Sequence, residues 1–318
     1  METRAVFELG SGCIRMQVAK VDPEARKIVQ VHLNHYIHVN FAKDVQTSAS
    51  SVFSSQIMDE AIRELAVLKD MAGPFEPTKY RGIATEAFRT SKNAQELIER
   101  IKAEVGIDVQ VATHEEEAMY GFYNAMSLSE LDAHSVISWD SGAGSFQITS
   151  HNGQEPTMFL GRLGRTPVQH YIVQILQGRD FSRTASPNPI SKKEALATID
   201  YIKSQIKDCP KALLAKLQRD DVVIISIGAH PKLIPIGATY TREFIKECLF
   251  DSLDKADEEF EMEEAQFIVS DLILAYSVMS ALDIKQAVRY STRFAGNTSG
   301  LLIDSDLWSH TRPISIFS

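Results

Sequence analysis

A pattern that occurs twice, about 130 residues apart, constrains the fold of this chain more than any other feature of its sequence. Each copy consists of an apolar strand, a carboxylate, a turn rich in glycine and serine, and a second strand. Glu8 stands before the first turn, at 10–12, and Asp140 stands before the second, at 142–145. A duplication of this length predicts two similar domains that face each other across a cleft, with one turn from each domain at its floor.

The spacing of apolar residues predicts the elements of the first half. Three strands come first, and the glycine-rich turn joins the first two as a hairpin. Asn93 and Glu96 resemble a capping box at the start of a later helix, which Gly106 ends. The predicted order is βββαβαβα, with strands near 5–7, 14–18, 27–39, 80–84 and 108–112 and helices near 56–71, 93–105 and 115–125.

The second half begins with the same strand and turn signals and then becomes mostly helical. Strands are predicted near 135–137, 146–150, 158–160 and 222–227, and helices near 166–177, 191–207, 241–255 and 262–282. We therefore expect an α/β protein with domains over 1–126 and 127–318, in which the last segment can pack back on the first domain.

Composition narrows the class of protein. The 318 residues are 44% apolar and 24% charged, which suits one large domain or two moderate ones. Three widely separated cysteines, no signal-peptide pattern at the N-terminus and an apolar stretch at 267–282 that polar residues interrupt predict a cytoplasmic location. The net charge of -9 argues against binding to nucleic acid or to a membrane surface.

Four groups of residues could carry chemistry. The two turns expose backbone N–H groups that can bind phosphate, although ordinary hairpins have the same composition. The acidic residues at 115–117 either stabilise a helix N-terminus or include a general base. Arg89 either binds phosphate or is a surface charge. His32, His35 and His38 alternate between the faces of a strand, so we interpret them as structural rather than as a metal triad.

Four segments together resemble one known family. FELGSGCIRM, IATEAFRTSKNAQEL, VQVATHEEEAMYGFYNA and VISWDSGAGSFQIT occur in the order and spacing of the exopolyphosphatase/guanosine pentaphosphate phosphohydrolase (Ppx/GppA) family. That family belongs to the actin-like ATPase superfamily. The resemblance continues more faintly over nearly the whole chain. It implies a short, two-domain member with two actin-like (ribonuclease H-like) domains and a phosphate-binding cleft between them.

The resemblance also implies roles for single residues. Glu117 matches the family's catalytic base, and Asp140 matches a carboxylate associated with the metal and the catalytic water. Magnesium is the implied cofactor, with Asp140 and Glu8 as its protein ligands. The implied phosphate-binding residues are Gly10, Ser11, Gly12, Arg89, Gly142, Ala143, Gly144 and Ser145.

The chain departs from the family's pattern near both turns. Glu8 stands where an aspartate is usual, Gly12 and Cys13 replace Asn-Ser, and Gln147 replaces a glutamate. These changes bear on catalysis and substrate choice rather than on the fold.

Three functions remain open at this stage. The first is magnesium-dependent hydrolysis of terminal phosphoanhydride bonds in inorganic polyphosphate or in a guanosine penta- or tetraphosphate. The second is a sensor that binds such a polyanion and turns it over slowly or not at all. The third is an actin-like nucleotide-dependent kinase or ATPase. For each of them we expect a homodimer that binds neither a nucleic acid polymer nor a membrane.

Overall fold

The protein is described by a computed structural model that covers residues 1–129, 131–153, 155–184, 186–228, 230–231, 233–290 and 297–308. Its backbone contacts divide the chain into two compact units. The first unit contains residues 1–127 and the described C-terminal residues 297–308, and the second contains residues 128–292. Each unit has one mixed β-sheet with helices packed against it. The predicted α/β class is therefore confirmed.

The first unit contains a five-stranded sheet in the order β3-β2-β1-β4-β5. Its first three strands are antiparallel, and β4 and β5 continue the sheet in parallel with β1. All of these strands were predicted. Their bounds are β1 (Glu2–Leu9), β2 (Cys13–Asp22), β3 (Lys27–His38), β4 (Lys79–Ala84) and β5 (Asp108–Val111).

Five helices follow or separate these strands. They are α1 (Phe41–Thr47), α2 (Ser55–Ala72), α3 (Glu86–Thr90), α4 (Ala94–Arg100), which continues as a π-helical turn (Ile101–Val105), and α5 (His114–Ser129). Ser54 caps α2 by accepting a hydrogen bond from Ile57 N. The capping box predicted at Asn93 is wrong. The Asn93 side chain instead binds both backbone groups of Phe53, and so it joins the start of α4 to the loop before α2.

The second unit contains a six-stranded sheet in the order β10-β11-β9-β6-β7-β8. Its strands are β6 (Val136–Ser141), β7 (Phe146–His151), β8 (Pro156–Gly161), β9 (Val223–Gly228), β10 (Thr239–Thr241) and β11 (Gln286–Arg289). Strands β6, β7, β8, β9 and β11 have the same order and relative directions as β1 to β5. The duplication inferred from the two turns is therefore a duplication of the whole sheet, with β10 added at one edge.

The helices of the second unit enclose a large apolar core around β6, β7 and β9. They are α6 (Arg165–His170), which continues as a π-helical turn (Tyr171–Leu176), α7 (Lys192–Gln205), α8 (Lys211–Leu217), α9 (Arg242–Asp251) and α10 (Ala265–Ala281). The sequence patterns did not predict α8, β10 or β11. Each is seven residues or shorter, so it contains too little of a period to be recognised.

The described C-terminal residues form α11 (Thr298–Ile303) and α12 (Ser305–Trp308), which pack in the first unit. Arg4 on β1 donates a hydrogen bond to Leu302 O, and its guanidinium lies 4.6 Å from the centre of a Trp308 ring. The predicted final segment also includes 309–318, which lie outside the described residues. No helix in the described part of the chain is long and apolar enough to cross a membrane.

Candidate active site

The two glycine-rich turns are closed by the same hydrogen bond. Gly10 N donates to Cys13 O over 2.9 Å in the first turn, and Gly142 N donates to Ser145 O over 2.8 Å in the second. Each turn therefore spans four residues, and the predicted phosphate-binding residues at 10–12 and 142–145 lie within these turns. The first turn joins β1 to β2, and the second joins β6 to β7.

A second hydrogen bond is also common to both turns. The backbone N of Ala42, in α1, donates to Ser11 O over 2.8 Å, and the backbone N of Thr166, in α6, donates to Ala143 O over the same distance. A trans peptide group is planar, and its N–H points away from its C=O. The next amide in each turn, that of Gly12 or Gly144, is therefore directed away from the helix that holds the turn. An amide directed in this way can donate to a phosphate oxygen.

The three glutamates at the start of α5 have different environments. Glu115 is exposed. Glu116 accepts a hydrogen bond from Thr113 N, and Thr113 Oγ1 accepts one from Glu116 N, so these two residues form a capping box. Glu117 is buried, with 7% of its surface exposed. Capping of the helix therefore accounts for Glu116 but not for Glu117.

Arg89 is the partner of Glu117. Its Nη2 atom lies 2.6 Å from Glu117 Oε2 and 2.8 Å from Glu86 Oε2, and its Nη1 donates to Ala112 O over 2.9 Å. Arg89 lies on α3, directly after β4, while Ala112 follows β5. Because β4 and β5 are parallel neighbours, their C-terminal ends bring Arg89 and Glu117 together. The structure therefore places two residues that were predicted from separate motifs in direct contact.

The Glu117 carboxyl is electrostatically unusual. Burial raises its pKa from 4.5 to about 7, although the charge and the hydrogen bond of Arg89 act in the opposite direction. The negative charges of Glu8 and Glu86 raise this pKa further. Burial also opposes protonation of Arg89, but Glu117 and Glu86 outweigh it and raise the Arg89 pKa above its ordinary value. The arginine thus stays charged, while Glu117 is close to half ionised near pH 7. A carboxylate in this state is suited to general base catalysis.

Glu8, a predicted metal ligand, is already engaged by protein groups. Its Oε2 accepts a hydrogen bond from Asn297 N over 3.0 Å, and its Oε1 accepts one from Asn297 Nδ2 over 3.3 Å. Arg15 Nη1 lies 3.4 Å from the same Oε1. These contacts make Glu8 an anchor for Asn297, the residue directly before α11, and a metal ion would have to compete with them for the carboxylate. Nothing in the sequence around Asn297 indicated this contact across 289 positions.

Asp140, the other predicted metal ligand, is buried at the end of β6, directly opposite Gln147 on β7. A methyl group added at Gly228 would come within 2.7 Å of Asp140 Oδ1, so the glycine leaves room for this carboxylate. The described residues contain no group of three or more His, Cys, Asp or Glu side chains that could hold a metal ion. Magnesium is commonly held by one or two carboxylates together with substrate phosphates. Asp140 fits that kind of ligation, and Glu8 fits it less well.

Gln147 is buried, and its Nε2 donates a hydrogen bond to Ser145 Oγ over 3.0 Å. The two side chains therefore lie on the same face of the strand, as their spacing predicts. The amide provides a neutral hydrogen-bonding group at the position where the resemblance implies a carboxylate.

The histidines of β3 make aromatic contacts. His32 stacks on Phe75 with ring centres 5.5 Å apart, and His38 meets the edge of Tyr36 at 5.2 Å. Their structural interpretation is consistent with these contacts.

The fold defines a class of protein: two α/β units built on the same five-strand order. Residues 18–162, a little under half of the chain, match the model of the Ppx/GppA phosphatase family, and this match agrees with the resemblance seen in the motifs. The crystal structure of the Aquifex aeolicus family member is similar, with 18% identity, a TM-score of 0.71 and coverage of 98% of this chain and 99% of that chain.

An exopolyphosphatase from Cytophaga hutchinsonii is also similar in structure. It has 16% identity and a TM-score of 0.73, with coverage of 95% of this chain and 98% of that chain. At these identities, the likeness to both solved structures concerns the fold. No curated protein matches the chain.

Proposed function

We propose that this protein hydrolyses terminal phosphoanhydride bonds of inorganic polyphosphate or of a guanosine penta- or tetraphosphate. The observation that carries the proposal is the buried Glu117 carboxyl, 2.6 Å from the Arg89 guanidinium and with a pKa raised to about 7. A structural ion pair on the surface would not need this burial. A base that removes a proton from water near neutral pH would benefit from it.

The reaction follows from these groups. Glu117 accepts a proton from a water molecule through Oε1, because Oε2 binds Arg89. The water oxygen attacks the terminal phosphorus, and the bond from that phosphorus to the bridging oxygen breaks. The products are inorganic phosphate and a chain that is one phosphate shorter. The outward amide of Gly12, in the turn of the same unit as Glu117, stabilises the charge on phosphoryl oxygens without reorganising during the reaction.

Arg89 has two roles in this proposal. It holds the Glu117 side chain in one orientation, and its fork of donors can transfer from Glu86 to a phosphate oxygen. Magnesium, bound by Asp140 and by the substrate, would neutralise phosphate charge.

A second candidate function is a polyphosphate or alarmone sensor with little turnover. Gln147 supports it, because a buried amide bonded to Ser145 carries no charge that could bind a metal or polarise water. The two candidates share the same ligand and differ in whether phosphate is released.

One experiment tests both candidates. Phosphate release is measured from long-chain polyphosphate, guanosine pentaphosphate and ATP, each with magnesium and with EDTA, and binding of each is measured by calorimetry. Release from either of the first two, lost in Glu117→Gln, supports the hydrolase. Tight binding without release supports the sensor. Release from ATP alone indicates a nucleotide-dependent kinase or ATPase, and the absence of both binding and release refutes the proposal.

A further inference from the structure

The start of α6 is attached directly to the second glycine-rich turn. Arg165 N donates to Gly142 O over 3.3 Å, and Thr166 N donates to Ala143 O over 2.8 Å. Gly164, just before the helix, approaches the turn so closely that an added Cβ would lie 2.6 Å from Ala143 C and from Gly142 O. The glycine is therefore required for this approach, and two carbonyls of the turn are bound by one short helix.

The Arg165 side chain extends from the same residue to α10. Its Nε and Nη2 bind the two oxygens of Asp271 over 2.7 and 2.6 Å, and its guanidinium lies 4.2 Å from the centre of the Phe267 ring. The Asp271 side chain is 2% exposed. One residue therefore contacts the turn through its backbone and a long core helix through its side chain.

We propose that the Arg165–Asp271 ion pair positions the second turn, by fixing the first residues of α6 on α10 and thereby the direction of the Ala143 and Gly144 amides. The assignment of a phosphate as the ligand of these amides rests on the proposed function. The positioning itself rests on the contacts alone.

The direction of the amides follows from the peptide geometry. The carbonyls of Gly142 and Ala143 both point at α6, so the N–H groups of Ala143 and Gly144 in the same peptide planes point the other way. A small rotation at the start of α6 would turn both planes together.

A two-bond fork is suited to preventing that rotation, because it defines the angle as well as the distance between the partners. A lysine would supply the charge without the fixed angle. Moreover, a buried ion pair contributes little net stability compared with apolar residues of similar volume. We therefore expect the Arg165–Asp271 pair to act by orienting the start of α6 on α10.

Two variants separate positioning from stability. Arg165→Met combined with Asp271→Leu removes the pair without leaving a buried charge, so we expect the fold to survive. Arg165→Lys keeps the charge and weakens only the two-bond contact. It therefore still tests the proposal if the double variant does not fold. Arg242→Met is the matched control, since it breaks the Arg242–Asp283 pair, in which the partners bind over 2.8 Å and Asp283 is largely exposed.

Two measurements are made on each variant. Hydrogen exchange reports directly on the bound amides of Gly142, Arg165 and Thr166, and steady-state kinetics with long-chain polyphosphate give KM and kcat. We expect faster exchange at these amides and a KM raised about tenfold in the double variant, as the loss of about one charge-assisted hydrogen bond would produce. Arg165→Lys should show a smaller change in the same direction, and Arg242→Met should show none.

Unchanged exchange and KM in both Arg165 variants would overturn the proposal. A melting temperature that falls while exchange at the turn stays as in the parent would overturn it too, because the pair would then be only structural. If the parent neither binds nor hydrolyses polyphosphate, the proposed function fails, and the exchange measurement still decides whether the pair positions the turn.

Discussion

Replacing Glu117 by glutamine should change the pH dependence of both stability and activity. The carboxyl has a pKa of about 7 in the folded protein and 4.5 as its ordinary value. The folded state therefore binds the proton more tightly, and between these two pH values it holds more protons than the unfolded state. Stability then falls as the pH rises through this window. At 1.36 kcal/mol for each pKa unit, the full cost of ionising Glu117 is about 3 kcal/mol.

Glu117→Gln cannot ionise, so it lacks this cost. The difference in free energy of unfolding between parent and variant should therefore shift by about 3 kcal/mol in favour of the variant between pH 4.5 and pH 8. Urea unfolding at several pH values measures it. Any contribution of the lost Arg89 contact that does not depend on pH cancels in this comparison.

Activity should have the opposite dependence on pH: it should rise over the range in which stability falls. A general base must be ionised, so kcat/KM of the parent should rise with pH and level off above a midpoint near 7. Glu117→Gln should lose roughly 10²–10⁴ in turnover above this midpoint, with a smaller loss at lower pH where the parent base is protonated, while polyphosphate binding persists.

Glu116→Gln is the matched control, because it lies on the same helical turn and can still accept the capping hydrogen bond from Thr113 N. It should leave the pH profile and the turnover unchanged. Equal turnover in Glu117→Gln and the parent would refute the assignment of the base. Parallel stability curves for the parent and Glu117→Gln would refute the raised pKa.

Three further substitutions test the neighbouring groups. Arg89→Lys weakens the contact that lowers the Glu117 pKa, so the midpoint of the kcat/KM profile should move to higher pH, and a midpoint that stays or falls would contradict this account. Gly144→Val adds a side chain beside the outward amide of the second turn, so calorimetric affinity for polyphosphate should fall more than the melting temperature does; equal losses would indicate an ordinary hairpin. Gln147→Glu places a carboxylate opposite Asp140, so phosphate release should rise with magnesium and change little with EDTA, whereas a neutral or harmful effect would mean that the chemistry depends on another group.

Local sequence patterns were sufficient for most of the architecture. Strand alternation and the two glycine-rich turns predicted the hairpins that begin each sheet, because side-chain period and turn chemistry act over a few residues. The repeat at Glu8 and Asp140 predicted two related units. The prediction failed where local signals competed with distant ones: Asn93 and Glu96 have the spacing of a capping box, but the Asn93 side chain binds Phe53, 40 positions away.

The tertiary structure decided which of these residues can do chemistry. The three glutamates that begin α5 are nearly equivalent in the sequence, and only packing separates the exposed Glu115, the capping Glu116 and the buried Glu117. Arg89 lies 28 positions before Glu117, and Asn297 lies 289 positions after Glu8. Such contacts depend on which strand ends and helix starts meet in space. The periodicity of a short segment determines its own conformation and the face it buries, but it carries no information about the particular side chain that will face it from elsewhere in the chain.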